Sequence, residues 1–359
     1  KISDEAISQA TQFAKKIFPA DGILEGTQRV LHEAAVNLNY HQADTEGVLA
    51  MESSDIRRAM AERMNLPVDV SNAKLLMDYR SSLLSHLNKT VRGQPEMVQG
   101  ITDLWLELLN PGNSRNVRVM TAMGSTGVGK TMLAKEFAKK VFKNEQAVLE
   151  VNCNEIRGEE GIHQLLGFPL GYLGSDKTSG ILNDWLDDPN RGKEGGVIIL
   201  NEIEKAPPQV VQALMEIMDT GKINGKDGKI RYLQRHLIVM TSNRGSKQIY
   251  PPGYEKWKSS ELDEHVRSLT QDRLKSYFTQ KTAGEDTFSL PPEVLARIDR
   301  YVVGRPITPD VAKLIAQDLV QSLIRKNKAE NGLDITISEQ LIQRLLKTNF
   351  VPSEGARVF

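Results

Sequence analysis

Val117-Arg-Val-Met-Thr-Ala-Met123 runs directly into Gly124-Ser-Thr-Gly-Val-Gly-Lys-Thr131, and Met132 to Val141 then reads as a helix. The middle stretch is a complete G-x-x-x-x-G-K-T loop set between an apolar, strand-like run and a helical one. That context separates a phosphate cradle from a chance glycine-rich turn. Gly124, Gly127 and Gly129 permit a turn tight enough for the N–H groups of Ser125, Thr126, Val128 and their neighbours to converge on β- and γ-phosphates. Lys130 adds a mobile positive charge. Thr131 offers a hydroxyl to Mg²⁺, and together with Met132 it opens a helix whose dipole favours an anion. The expected ligand is a nucleoside triphosphate with Mg²⁺.

Working outward, short apolar runs alternate with helical stretches from about residue 89 to 304. The runs are Val117 to Met123, Ala147 to Val151, Val197 to Leu200, Leu237 to Thr241 and Tyr301 to Val303. This predicts an α/β fold, a parallel sheet with helices on both faces. Residues 1 to 88 read as helices only. Ile7, Ala10, Phe13 and Ala14 repeat at helical spacing, Ser53-Ser-Asp55 caps a stretch through Met64, and Leu75 to Leu87 makes another. From 305 to 359 the pattern is helical again, with Thr308 as N-cap, Pro309 in the first turn, and Val311, Leu314, Ile315, Leu319 and Leu323 as one apolar stripe. Tyr250-Pro-Pro-Gly-Tyr254 opens a polar stretch to Gly284 that is expected to be mobile.

Composition excludes several classes. The 359 residues carry 46 Lys and Arg against 46 Asp and Glu, so no basic field points to nucleic acid. The single cysteine, Cys153, rules out an internal disulfide framework, reads as a small apolar filler, and fits a reducing, cytoplasmic setting. No apolar run approaches the ~18 residues of a membrane span. The start at Lys1-Ile2-Ser3 is expected to be internal to a longer chain. None of the six histidines shows metal-ligand spacing.

Catalytic candidates come from the ends of the other runs. Val197 to Leu200 delivers Asn201 and Glu202 beside the loop. Glu202 is placed to polarise an attacking water. Asn201 stands where many P-loop enzymes carry Asp, which removes a negative charge from the Mg²⁺ surroundings while leaving a carbonyl oxygen to orient metal-bound water. Asn243 follows Leu237 to Thr241, either as a simple strand cap or as a group holding the lytic water. Arg297 lies on a helical stretch, where a surface ion pair is the plain reading. Tyr172, flanked by Gly171 and Gly174, is either an ordinary turn aromatic or a ring exposed on a flexible loop.

The ordered set resembles one family, the Clp unfoldase and disaggregase class of AAA+ ATPases, and within it the second ATPase module of two-ring members. Val91-Arg92-Gly-Gln94 looks like the segment that packs by adenine, which implies nucleotide contacts for Val91 and Arg92. Gly171-Tyr-Leu-Gly174 resembles the aromatic pore loop, Glu202-Ile-Glu-Lys-Ala206 the extended Walker B strand end, and Asp219-Thr-Gly-Lys-Ile with Asp227-Gly-Lys a secondary pore loop. Thr241-Ser-Asn243 is similar to sensor 1, Leu295-Ala-Arg-Ile-Asp299 to the arginine-finger segment, and Gly355-Ala-Arg357 to sensor 2. More weakly, Phe18-Pro-Ala-Asp21, Leu31-His-Glu-Ala-Ala35 and Met51 to Arg58 resemble the helical subdomain that closes the preceding module.

The resemblance implies three parts: residues 1–88 as that subdomain and a linker, 89–304 as the large ATPase subdomain, and 305–359 as the start of a helical lid. It implies ATP hydrolysis in a hexameric homo-oligomer, Thr131 and Asn201 on the metal, Arg357 as a phosphate sensor, and Tyr172 threading unfolded or partly folded protein clients. No nucleic-acid or membrane partner is expected. The absence of an Ile-Gly-Phe-type tripeptide between Asn243 and Arg297 argues against a docked peptidase. Asn201 keeps a second reading open, a hydrolysis-poor scaffold that uses ATP for assembly.

Overall fold

Ser3 starts the first helix: its hydroxyl accepts from the Ala6 N–H at 3.2 Å, and Asp4 and Glu5 occupy the first turn where the helix dipole favours them. A computed structural model describes residues 2–18, 21–41, 50–63, 72–109, 117–156, 158–167, 180–225, 227–233, 235–251, 253–254, 257, 259–279 and 290–332, with 336, 338, 340–341 and 344. The helices α1 (Asp4–Ile17), α2 (Ile23–His41) and α3 (Ser53–Arg63) pack on one another through Ala6, Ala10, Phe13, Val30, Ala34, Ile56 and Met60. The Phe18 ring lies between the guanidinium groups of Arg29 and Arg63, at 4.2 and 4.8 Å. Ser53 is the first helical residue of α3 rather than its cap. Asp55 reaches back instead and accepts from the Glu52 N–H at 2.9 Å.

Asn72 caps α4 (Ala73–Thr90), which lies along α5 (Pro95–Leu109). The chain continues through β1 (Val117–Met123), α6 (Lys130–Phe142), β2 (Val148–Asn152), α7 (Gly158–Leu166), α8 (Ile181–Asp187) and β3 (Gly196–Asn201). A 3-10 turn (Ile203–Lys205) leads to α9 (Pro208–Thr220), the antiparallel hairpin β4 (Lys222–Asn224) and β5 (Ile230–Tyr232), and then β6 (His236–Ser242). The remaining elements are α10 (Ser246–Ile249), α11 (Ser259–Ser268), α12 (Gln271–Ser276), α13 (Pro292–Leu295), β7 (Arg300–Val303) and α14 (Pro309–Asn331). All five apolar runs of the sequence become strands, with ends moved by no more than one residue.

These strands form one parallel sheet in the order β2-β3-β6-β1-β7. Both faces are covered, so the strands are apolar almost throughout. Alternation still sorts the side chains. Val119, Met123, Ile198, Leu200, Ile238 and Met240 pack under α7 to α9 and α11 to α13, while Met120, Ala122, Val197, Ile199, Leu237 and Val239 pack under α4 to α6. On the second face Trp105 meets Phe137 and Phe142 edge-on at 5.9 and 5.4 Å, and its indole N–H donates to the Tyr79 hydroxyl at 3.2 Å. Thus α4 contributes Leu83 and Leu87 to the sheet's core although its sequence groups with the helical N-terminal part.

Two expectations are corrected. The polar stretch after Tyr250 contains α11 and α12, whose Leu262, Val266, Leu269 and Leu274, with Tyr277 and Phe278, are buried in the first-face core. The Gln271 side chain also caps the edge strand, donating to the Tyr301 carbonyl and accepting from the Tyr301 N–H, both at 2.7 Å. Few apolar residues at helical spacing suffice when a core is waiting for them, which a mostly polar sequence conceals. The stripe on α14 is also not buried as one. Thr308 does cap the helix, but Leu314, Leu319 and Leu323 are exposed. Asn110 to Ser114, Gly355 to Arg357 and the loop Gly171 to Gly174 lie outside the described residues. Among the described residues no helix is long and apolar enough to cross a membrane.

Candidate active site

The register sets Met123 beside Ser242, Leu200 beside Met240 and Asn152 beside Asn201, so the carboxyl ends of β1, β6, β3 and β2 lie at one end of the sheet and the residues that follow them open on the same cleft. The loop after β1 needs its glycines. Gly124, Gly127 and Gly129 have φ of 129°, 75° and 101°, and a Cβ on Gly124 would meet the Gly304 carbonyl oxygen at 2.8 Å. Lys130 is buried at the start of α6, where its ammonium donates to the Gly124 and Ser125 carbonyls at 2.6 and 3.0 Å and to Asn243 Oδ1 at 3.2 Å. A buried cation facing a glycine-lined loop at a helix N-terminus is an anion site by its chemistry.

At the end of β3 the chain turns sharply. Glu202 takes a left-handed conformation, φ 54°, a strain of about 1–3 kcal/mol for a non-glycine residue. Its N–H donates to Thr241 Oγ1 at 3.2 Å, and that hydroxyl donates to Asn201 Oδ1 at 3.2 Å, so β6 holds the turn in place. Asn201 is saturated as an amide. Oδ1 also accepts from Thr131 Oγ1 at 3.3 Å, and Nδ2 donates to Glu150 Oε1 at 2.8 Å and Asn152 Oδ1 at 3.1 Å. The Asn243 N–H donates to Glu204 Oε1 at 3.0 Å, which fixes the strand end that presents its side chain to Lys130. Cys153, buried after β2, is the expected filler: burial first, then the fields of Glu204 and Glu202, push its thiol up to about 12 and keep it protonated.

Thr126, Gly127, Gly129, Lys130, Thr131, Met132, Glu150, Asn152, Asn154, Asn201, Glu202, Thr241 and Asn243 line a cleft of about 460 Å³. Gly129 and Met132 also border a neighbouring apolar cavity of about 790 Å³ beneath α14, where Val91, Val128, Ile307, Ile315 and Leu319 meet. Arg92 is engaged at the rim of that cavity. Its Nε and Nη2 donate to Asp318 on α14 at 2.8 and 3.3 Å. A polar cleft continuing into an apolar one suits a ligand with a charged end and a flat ring.

Six sequence-selected positions of the loop and helix start, Thr126, Gly127, Gly129, Lys130, Thr131 and Met132, are therefore brought together with Asn201, Glu202 and Asn243. Arg297 is elsewhere: its guanidinium grips Asp219 at the end of α9, Nε to Oδ1 at 2.5 Å and Nη2 to Oδ2 at 2.7 Å. Tyr172 and Arg357 lie outside the described residues. Sequence reading missed Glu150, Asn152 and the Thr241 hydroxyl as site groups, and no local signal marks them because strand pairing alone puts β2 beside Asn201. Among the described residues no cluster of three His, Cys, Asp or Glu could hold a metal by itself.

The AAA domain family (Cdc48 subfamily) matches residues 115–301. The chain is 30% identical over 280 residues to the chaperone protein ClpB of Malacoplasma penetrans, covering 77% of this chain and 35% of that protein. It is 28% identical over 365 residues to the probable chaperone protein ClpB 1 of Chlorobaculum tepidum, covering 99% of this chain and 78% of that one. The fold superposes on Hsp104 from the S. cerevisiae Hsp104–casein complex in its extended conformation, with TM-score 0.77 at 22% identity, over 100% of this chain and 58% of that chain. The chain spans about a third of the length of other curated relatives it matches, 35% of the Malacoplasma penetrans protein and 33% of the chloroplastic chaperone protein ClpB3 of Arabidopsis thaliana. With the phosphate loop, the strand order and the family match in agreement over the same residues, this chain belongs to the AAA domain family as a Clp-type AAA+ ATPase module.

Proposed function

We propose that the chain is the motor part of an ATP-dependent protein unfoldase, assembled as a hexameric ring in a reducing, cytoplasmic setting. Residues 1–88 would close a preceding module, 89–304 form the large ATPase subdomain, and 305–359 begin its lid. One observation carries this reading: Lys130, Thr131, Asn201, Glu202 and Asn243 converge from three strand ends on one cleft that continues into an apolar cavity.

The groups fit ATP with Mg²⁺. Loop N–H groups and Lys130 would neutralise the phosphates, Thr131 Oγ1 and Asn201 Oδ1 would help hold the metal, and Val91 and Val128 would wall the base. The nucleotide supplies the transferable phosphoryl group. Glu202 takes the proton of the attacking water while Asn243 orients that water. Arg297 serves the neighbouring subunit. Its Asp219 pairing is partly exposed, and such pairs are worth little, so a phosphate can displace it. Arg297→Ala should keep ATP binding and lose turnover, and mixing it with Glu202→Gln subunits should restore activity at interfaces that combine an intact Glu202 with an intact Arg297. Mixed rings no more active than either parent would count against a shared site.

The Hsp104 neighbour with casein supports a protein client here, and Tyr172 is the residue proposed to grip it through its apolar ring face. Tyr172→Ala should stop unfolding of a folded reporter protein far more than it lowers ATP turnover. Unfolding at the parental rate would remove the loop from the mechanism. The neutral amide of Asn201 favours one other reading, a scaffold that binds ATP to assemble and hydrolyses it poorly. The turnover of the assembled protein decides: stimulation by an unfolded protein identifies a motor, whereas slow, unstimulated turnover with ATP-dependent assembly identifies a scaffold.

A further inference from the structure

Position 201 carries an amide and not a carboxylate, yet a carboxylate stands directly beside it on another strand. Glu150 lies on β2, and its Oε1 accepts from Asn201 Nδ2 at 2.8 Å. Its other oxygen, Oε2, is braced by Lys135 Nζ at 2.7 Å, from a lysine one turn along α6 from Thr131. The Glu150 side chain is one-third exposed and lines the same cleft as Thr131, Asn201 and Glu202.

Two features make this arrangement specific. An amide can point either end toward Thr131. Here the carboxylate of Glu150 and the carbonyl of Asn152 both demand donors, so the NH₂ group is committed to β2 and Oδ1 is left facing Thr131 and Thr241. An aspartate at 201 would have no hydrogen to offer Glu150 and would put two anions in hydrogen-bond contact. Asn201 and Glu150 are therefore a matched pair that carries one negative charge between them.

We propose that Glu150 is a positioning residue that supplies, from β2 and through Asn201, the carboxylate that this site lacks on β3. It holds the Asn201 carbonyl oxygen toward the Thr131 hydroxyl and provides the negative charge that favours a divalent cation there. The inference rests on the reading of the cleft as an ATP and Mg²⁺ site.

The test is the response of a fluorescent ATP analogue, bound to the full chain in EDTA and then titrated with Mg²⁺. Glu150→Gln, which is isosteric and at a partly exposed position, should leave the affinity in EDTA close to the parental value. It should raise the Mg²⁺ concentration for half-maximal response about 10-fold, as loss of a group orienting a metal ligand does. Adding Asn201→Asp to Glu150→Gln should recover most of that loss, because one carboxylate is again present, while Asn201→Asp alone should improve the response far less. An unchanged Mg²⁺ response in Glu150→Gln, or the same gain from Asn201→Asp in both backgrounds, overturns the proposal. No analogue binding by the parental chain in either condition would instead remove the ATP reading.

Discussion

Glu202→Gln should cut ATP turnover by about 10²–10⁴-fold, the usual contribution of a positioned general base, while nucleotide remains bound. The substitution keeps the size of the side chain and the left-handed turn, whose hydrogen bond to Thr241 runs through the backbone N–H of residue 202 and not through its carboxylate. What is lost is the ability to accept a proton. The expected signature is therefore a protein that assembles and retains ATP but does not release phosphate, measured by single-turnover hydrolysis beside equilibrium binding. Parental turnover would transfer the base's role to another group. Glu204 is a poor candidate for that role, because it does not line the cleft and its Oε1 accepts from the Asn243 N–H.

Lys130→Ala should weaken ATP binding by about 10²-fold or more. A charge-assisted hydrogen bond contributes about 1.5–3 kcal/mol, and the ammonium's bonds to two phosphates together exceed the roughly 2.7 kcal/mol of two decades in affinity. Thermal unfolding gives an independent readout. At a nucleotide concentration of about 100 times the parental dissociation constant, binding adds about 2.7 kcal/mol to the stability of the parent and should add almost nothing to the variant. The nucleotide-free variant must also be compared with its parent, since the ammonium holds the Gly124 and Ser125 carbonyls and Asn243 together. Equal ATP affinity in the two proteins would remove the phosphate-loop assignment.

The helical N-terminal part shows how physical context redistributes a legible pattern. Leu75 to Leu87 reads as a helix from its spacing alone, and α4 is that helix. Its destination under the sheet, with Leu83 and Leu87 against the same core as Trp105, is a matter of which apolar face is left uncovered, and no local property of the segment specifies it. The α11 and α12 segment makes the complementary point. Its apolar residues are too sparse to stand out, but α12 packs on β7 and the buried side chains of both helices join the core on that face of the sheet.

By itself the sequence determined the five parallel strands, because a strand covered on both faces must be apolar along its whole length and so announces itself. It determined the phosphate loop as well, because positive φ at Gly124, Gly127 and Gly129 admits glycine with little cost and almost nothing else. Lys130, Thr131, Glu202 and Asn243 followed, since each comes directly after a strand or its loop and every strand end of a parallel sheet opens on one edge. Only the tertiary structure decided what surrounds them. Glu150 and Asn152 reach Asn201 from a strand far away in the chain, by the register Asn152 to Asn201 between β2 and β3. Thr241 reaches it from β6, and Arg297 is held by Asp219 from a different helix. Hydrogen bonds between strands depend on register, and register is set by the packing of the whole sheet, so the charge at this site belongs to the fold and not to any single segment.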